Sequence, residues 1–252
     1  MAQQGFVYEV NAANVLKKLN LVKSTFRPAG AGHDQPDLMI TYKGQDAGVE
    51  LKITAASAGS LVIKHHDGVW DFGDIKAEEK EKLFIRDLAY EYGVIDKIRR
   101  EWTETPLRRT PKDALLEAQT RGLDKRQIYA IDKGKFNEIK GDIPASSIER
   151  YYNQKDTYYV NVGTHGFYTM GSSDPLDLNT NARSNGLPFV PMFSQSAKAS
   201  YRARVQSKGS GNYQFTFEMS FAMRTKSPYN IAPLNKGSVN IVEREMSLGV
   251  FI

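Results

Sequence analysis

The sequence predicts an α/β fold, a mixed central sheet flanked by helices, with a β-rich C-terminal elaboration. Three observations carry this reading. Apolar residues recur at three- and four-residue spacing near the N-terminus and again over residues 76–102, the signature of amphipathic helices. Between these stretches lie short β-prone runs bounded by Gly, Pro, Asp and Asn. Beyond Asp156, apolar and polar residues alternate with the period of a half-buried strand.

The elements follow in order. Over Gln3–Asn20, Phe6, Val10, Ala13 and Leu16 share one helical face, and Lys17 and Lys18 complement the C-terminal end of the dipole. Glu9 falls on that apolar face, since Ala12, Ala13 and Leu16 lie three, four and seven residues further on, and a carboxylate there needs a partner. An extended stretch, Leu21–Phe26, leads into the Pro/Gly-rich loop Arg27–Pro36. Asp37–Tyr42 and Ala47–Ile53 then read as two strands joined by a turn at Lys43–Asp46. A third strand is expected at Ser60–Lys64 and another at Val69–Phe72. Residues 76–102 are helical, with an acidic first turn and a break at Gly93. After a linker carrying Arg108 and Arg109 come a helix at Pro111–Arg121, a strand at Gln127–Ile131 and a helix at Ala145–Tyr152. Strands are expected at 157–162, 166–170, 199–207 and 213–224, the last two joined as a hairpin.

Composition narrows the function classes. The 252 residues are 40% hydrophobic and 25% charged, values typical of a globular protein that buries a core without staples. No run approaches the roughly 18 apolar residues of a membrane helix, and the opening MAQQGFVYEV lacks the basic and apolar regions of a signal peptide. The expectation is a soluble, intracellular (cytoplasmic) protein with no membrane partner. With no cysteine, disulfides, thiolate metal sites and cysteine nucleophiles are excluded, which leaves oxygen and imidazole ligands. The net charge is +5 overall, but residues 1–75 carry −1 and residues 176–252 carry +5. The basic surplus, which suits a polyanionic partner, therefore lies in the C-terminal third.

One constellation carries chemistry. Pro36-Asp37 is followed, after twelve residues, by Glu50-Leu51-Lys52. Side chains at i and i+2 of a strand share a face, so Glu50 and Lys52 project together while Leu51 points away. Folding the two strands back on each other about Lys43–Asp46 brings Asp37 toward Glu50. Two carboxylates sharing a hard divalent cation such as Mg²⁺ leave coordination positions for water and phosphate oxygen. An adjacent ammonium group is placed to orient an attacking water or to stabilise a pentacovalent phosphorus.

These residues resemble the PD-(D/E)XK signature of the restriction-endonuclease-like nuclease superfamily, and in motif they are nearest to archaeal-type Holliday-junction resolvases. Those proteins also carry a glutamate on an N-terminal helix, matched here by Glu9, and a basic glycine-rich loop, matched by Arg27-Pro-Ala-Gly-Ala-Gly32. The loop reads Ala31-Gly32 where the resolvases carry a serine, and the resemblance spans residues 1–64. It implies a restriction-endonuclease-like core in which Asp37, Glu50, the Leu51 carbonyl and Glu9 hold Mg²⁺, with Mn²⁺ able to substitute. Asp37, Glu50, Lys52 and Glu9 would form the catalytic set, Lys52 as the catalytic lysine. The implied partner is double-stranded or branched DNA. Many such nucleases dimerise to cut both strands, but a homodimer leaves no trace in this sequence.

Candidate nucleic-acid contacts are Arg27 and His33 in the loop, Lys64, Arg108 and Arg109 in the linker, and Arg202 and Arg204 on one strand face. His65-His66 point opposite ways in a strand and make poor joint ligands, and nothing near His165 suggests a triad. Tyr213, Phe215 and Phe217, at alternate positions, read as core rather than as a base-stacking platform.

The expected organisation is a nuclease core with a helical insertion over residues 1–155 and a β-rich region over residues 156–252 that contacts DNA or completes the core. The leading function is a metal-dependent DNA endonuclease, structure-specific or restriction-like. Two alternatives stay open: an RNA-cleaving endonuclease with the same core, as in cap-snatching viral enzymes, and a non-catalytic nucleic-acid-binding module with a vestigial site.

Overall fold

A computed structural model describes residues 2–18, 36–42, 44–54, 57–163, 165–177 and 190–227. The chain forms two compact units. One comprises residues 1–56, 144–199 and 221–252, the other 57–143 and 200–220, so each takes segments from both sides of residue 155. Both are α/β, and past Asp156 the described chain is chiefly strand. The loop expectations at Leu21–Phe26 and Arg27–Gln35, including Arg27 and His33, lie outside the described residues.

In the first unit, α1 (Ala2–Lys18), β1 (Leu38–Tyr42) and β2 (Gln45–Lys52) follow the predicted pattern. β1 and β2 pair antiparallel with Leu38 opposite Val49 and Tyr42 opposite Gln45. After the second unit's long insertion come α6 (Ala145–Asn153), β6 (Thr157–Val162) and β7 (Gly166–Thr169), giving a mixed sheet in the order β1-β2-β6-β7. β6 runs parallel to β2 and antiparallel to β7. A short helix, α7 (Phe193–Ser196), precedes β8 (Ala197–Gly209).

The pleat sorts this unit's side chains. Ala47, Val49 and Leu51 of β2 pack with Ala12, Ala13 and Leu16 of α1 and with Tyr159 and Phe167 in one fully buried cluster. Glu50, between Val49 and Leu51, points to the opposite face. Gly48 is required by close approach of other segments: a Cβ there would meet the Asp156 carbonyl oxygen and lie 2.7 Å from the Pro36 ring. Its amide donates to that same carbonyl at 3.0 Å, and the β2–β6 register shifts at this point.

The second unit holds β3 (Ser57–His66), β4 (Val69–Phe72), α2 (Lys80–Glu91), α3 (Val94–Glu101), α4 (Pro111–Arg121), α5 (Lys125–Lys135), β5 (Ile139–Ile143) and much of β8 and β9 (Asn212–Met223). Its sheet runs β4-β3-β9-β8-β5. Gly93 does break the long helical run, in the left-handed conformation at φ 61°. α4 begins as predicted, with Pro111 at its first turn and the Thr110 side chain accepting from the Asp113 amide. Tyr213, Phe215 and Phe217 are buried, and Phe215 joins Trp70, Trp102 and Phe136 in a cluster of edge-on rings.

Two expectations in this unit are corrected. Gln127–Ile131 is not a strand but the interior of α5. The Asp124 side chain accepts from the Arg126 and Gln127 amides while the Gln127 side chain accepts from the Asp124 amide, and this capping box outweighs the β-prone Ile-Tyr pair. β5 is a strand that the sequence reading missed. Its Gly141-Asp142 step resembles a turn, yet Gly141 is needed there because the Tyr201 ring lies 2.7 Å from where its Cβ would stand.

Candidate functional site

The β1–β2 pairing sets the site. Leu38 opposes Val49, so Asp37, one residue before β1, arrives beside Glu50 and Leu51. One Asp37 oxygen, Oδ2, accepts the Leu51 amide at 2.9 Å. Glu50 is only 5% exposed. Its Oε1 takes a hydrogen bond and ion pair from the Lys52 ammonium, whose side chain is 22% exposed.

Glu9 joins from α1. Burial first, and then Asp37 and Glu50, push its carboxyl up to about 6, while Lys52 opposes the rise. Asp37 is likewise pushed up to about 6 by burial and by Glu50, against the pull of Lys52, the Leu51 amide and Lys155. Burial tends to lower the Lys52 ammonium, but Glu50, Asp37 and Glu9 together hold it above its ordinary value. Three carboxylates thus face two ammonium groups, Lys52 and Lys155. Burial lifts the two carboxyls first, and the surplus negative charge adds to the rise.

The cluster has neighbours that the sequence did not advertise. Tyr152, on the last turn of α6, is fully buried with its hydroxyl by Glu50. The Lys155 ammonium lies 5.1 Å from the Tyr151 ring centroid and 5.9 Å from that of Tyr152. Asn161, opposite Leu51 on β6, donates to the Tyr8 hydroxyl at 2.6 Å. Only tertiary pairing of β2 with β6 links these residues to the motif. The nearest local signal was the Tyr151-Tyr152 pair at a helix end.

The described residues contain no ready cluster of three or more His, Asp or Glu side chains set to hold an ion. The donor chemistry nevertheless fits a hard divalent cation: two adjacent carboxylates and a backbone carbonyl, in a pocket of surplus negative charge. As it stands, the Lys52 ammonium supplies the positive charge beside Glu50.

The remaining predicted contacts lie in the second unit. Lys64 is exposed on β3, opposite Asp71 of β4. Arg108 sets its guanidinium 5.3 Å from the Tyr213 ring centroid, while its amide and that of Leu107 donate to buried Asp132. Arg109 is exposed, near enough that, after burial, it helps lower the His65 pKa. Arg202 and Arg204 do share a strand face, but they also share a partner: both guanidiniums bind Glu218 Oε2, at 2.8 and 3.3 Å.

No helix among the described residues is long and apolar enough to cross a membrane. The sequence matches no protein-family model and no curated protein. Among solved structures the chain is similar to HhaI endonuclease in complex with DNA, at 10% identity and a TM-score of 0.42 over 95% of each chain.

Proposed function

We propose that this chain is a restriction-endonuclease-like nuclease of the PD-(D/E)XK type that hydrolyses DNA phosphodiester bonds with Mg²⁺, for which Mn²⁺ substitutes. The observation that carries the reading is the convergence of Asp37, Glu50, Lys52 and Glu9, drawn from three separate elements, into one partly buried, negatively charged cluster.

Asp37, Glu50 and the Leu51 carbonyl would hold the cation, with Glu9 as an outer ligand. When bound, a divalent cation lowers the pKa of a water and neutralises charge that builds on the phosphate. The chain's own residues do the rest. The Leu51 amide holds Asp37 in place through its 2.9 Å bond. Lys52 exchanges its contact with Glu50 for the attacking water or a phosphate oxygen, and its ammonium offsets the charge of the pentacovalent phosphorus. Glu9 keeps the pocket negative enough to favour the exchange. Lys64, Arg108, Arg109, Arg202 and Arg204 are the backbone contacts of this reading, with Arg27 and His33 in the preceding loop. A second copy of the chain supplies the second cut of a duplex.

The test is a cleavage panel with the purified full chain and Mg²⁺, using linear duplex, single strand, flap, four-way junction and RNA. Asp37→Ala and Glu50→Ala should each abolish cleavage while leaving DNA binding largely intact. Full cleavage by either variant overturns the reading, and cleavage confined to RNA moves the substrate while keeping the site.

A further inference from the structure

Buried hydroxyls in folded proteins have hydrogen-bond partners as a rule, so one without any calls for an explanation, and a partner taken up in another state is one. The Tyr152 hydroxyl is such a group. It is fully buried on the last turn of α6 and makes no hydrogen bond of normal geometry among the described residues. The carboxylate beside it is Glu50, and burial first, with Glu50 adding to it, holds the phenol far above its ordinary ionisation range. Glu50 meanwhile gives Oε1 to Lys52.

The placement follows from the sheet. β6 lies parallel to β2 with Glu50 opposite Val160, and α6, whose Tyr152 hydroxyl lies beside Glu50, feeds β6 through a short turn. The Lys155 ammonium lies 5.9 Å from the centroid of the ring.

The geometry points to Tyr152 as a positioning residue for Glu50. When Lys52 leaves Glu50 for the substrate, the Tyr152 hydroxyl donates to the Glu50 carboxylate and keeps it directed at the cation. A carboxylate that has given up the Lys52 ammonium would otherwise be free to turn away. This inference rests on the nuclease reading above.

The experiment titrates Mn²⁺ into the full chain by calorimetry near neutral pH and records thermal melting in chelator. It compares wild type with Tyr152→Phe, Tyr151→Phe and Glu50→Gln. Tyr152→Phe should weaken Mn²⁺ binding by about ten-fold, as loss of a hydrogen bond to a metal-ligating carboxylate does. Its metal-free melting temperature should hold or rise, because the deleted hydroxyl makes no hydrogen bond of normal geometry among the described residues. Tyr151→Phe should bind as wild type does. Wild-type affinity in Tyr152→Phe, with or without a lower melting temperature, overturns the role of Tyr152 and leaves the nuclease reading standing. If wild type shows no Mn²⁺ binding that Glu50→Gln removes, both fall.

Discussion

Lys52 pairs with Glu50, two residues before it on the same strand face, and that pair sits within reach of two further carboxylates, Asp37 and Glu9. The lysine therefore neutralises a pocket whose remaining charge is negative, and the same ammonium is the group the proposed chemistry needs elsewhere.

Replacing Lys52 by Met should expose that dependence. The variant leaves Glu50 nearly buried without its cation, and breaking such a pair costs several kcal/mol when both partners are deeply buried. With Lys52 partly exposed, about 2 kcal/mol is expected in chelator. Mg²⁺ should then raise the melting temperature of Lys52→Met more than that of wild type. An unchanged metal-free melting temperature would show that the pair does not hold the pocket together.

Asp37→Asn should separate charge from shape. The folded-state carboxyls of Asp37 and Glu9 are raised to about 6, from 3.8 and 4.5. A raised pKa means that the folded state prefers the protonated form. The stability is fully present below the lower, unfolded values and is lost as pH rises through the folded ones. Metal-free wild type should therefore lose stability between about pH 4 and roughly pH 6 from these two groups. Asn removes one charge, so the variant should gain on the order of 1–2 kcal/mol over wild type near neutrality and nothing in acid. Denaturant unfolding at the two pH values checks this, and equal stabilities at both would refute it.

Gly48→Ala should damage both fold and site. The new methyl meets the Pro36 ring and the Asp156 carbonyl, neither of which can swing aside, so a loss of about 1–3 kcal/mol is expected. Pro36 precedes Asp37, so Mn²⁺ affinity should fall as well. Gly134→Ala, inside α5 with open space around it, serves as the contrast and should be neutral or stabilising. Thermal melts of the two variants side by side decide the matter.

Glu218→Gln tests the basic strand face. Glu218 binds both Arg202 and Arg204, and, against burial, these arginines keep its carboxyl below the usual range. The amide keeps the shape but releases the charge. If this face lies on nucleic acid, duplex affinity rises at low salt and the log–log salt slope steepens by about one. An unchanged slope removes Arg202 and Arg204 from the interface.

Much of this protein was written locally. The β1–β2 hairpin, the Asp37/Glu50/Lys52 alignment, the break at Gly93 and the start of α4 at Thr110-Pro111 rest on turn residues, strand alternation and caps. Those forces act within a few residues and can be read from the sequence. α5 is the exception, because its capping box at Asp124 and Gln127 is also local but stands beside a β-prone run at Gln127–Ile131. Beyond the hairpins, the tertiary structure alone decided which strands pair. β3 and β4 belong to the sheet with β9, β8 and β5, whereas β2 takes distant β6 as its parallel neighbour. Pairing of that kind is a contest among long-range partners with similar patterns, settled by burial of whole faces rather than by any short segment. It is also what sets Tyr152 and Lys155 beside the carboxylates, whereas the acid that Arg202 and Arg204 share comes from the adjoining hairpin strand β9. The sequence determined which groups carry the charge and on which strand face they lie; only the folded chain decided what stands against them.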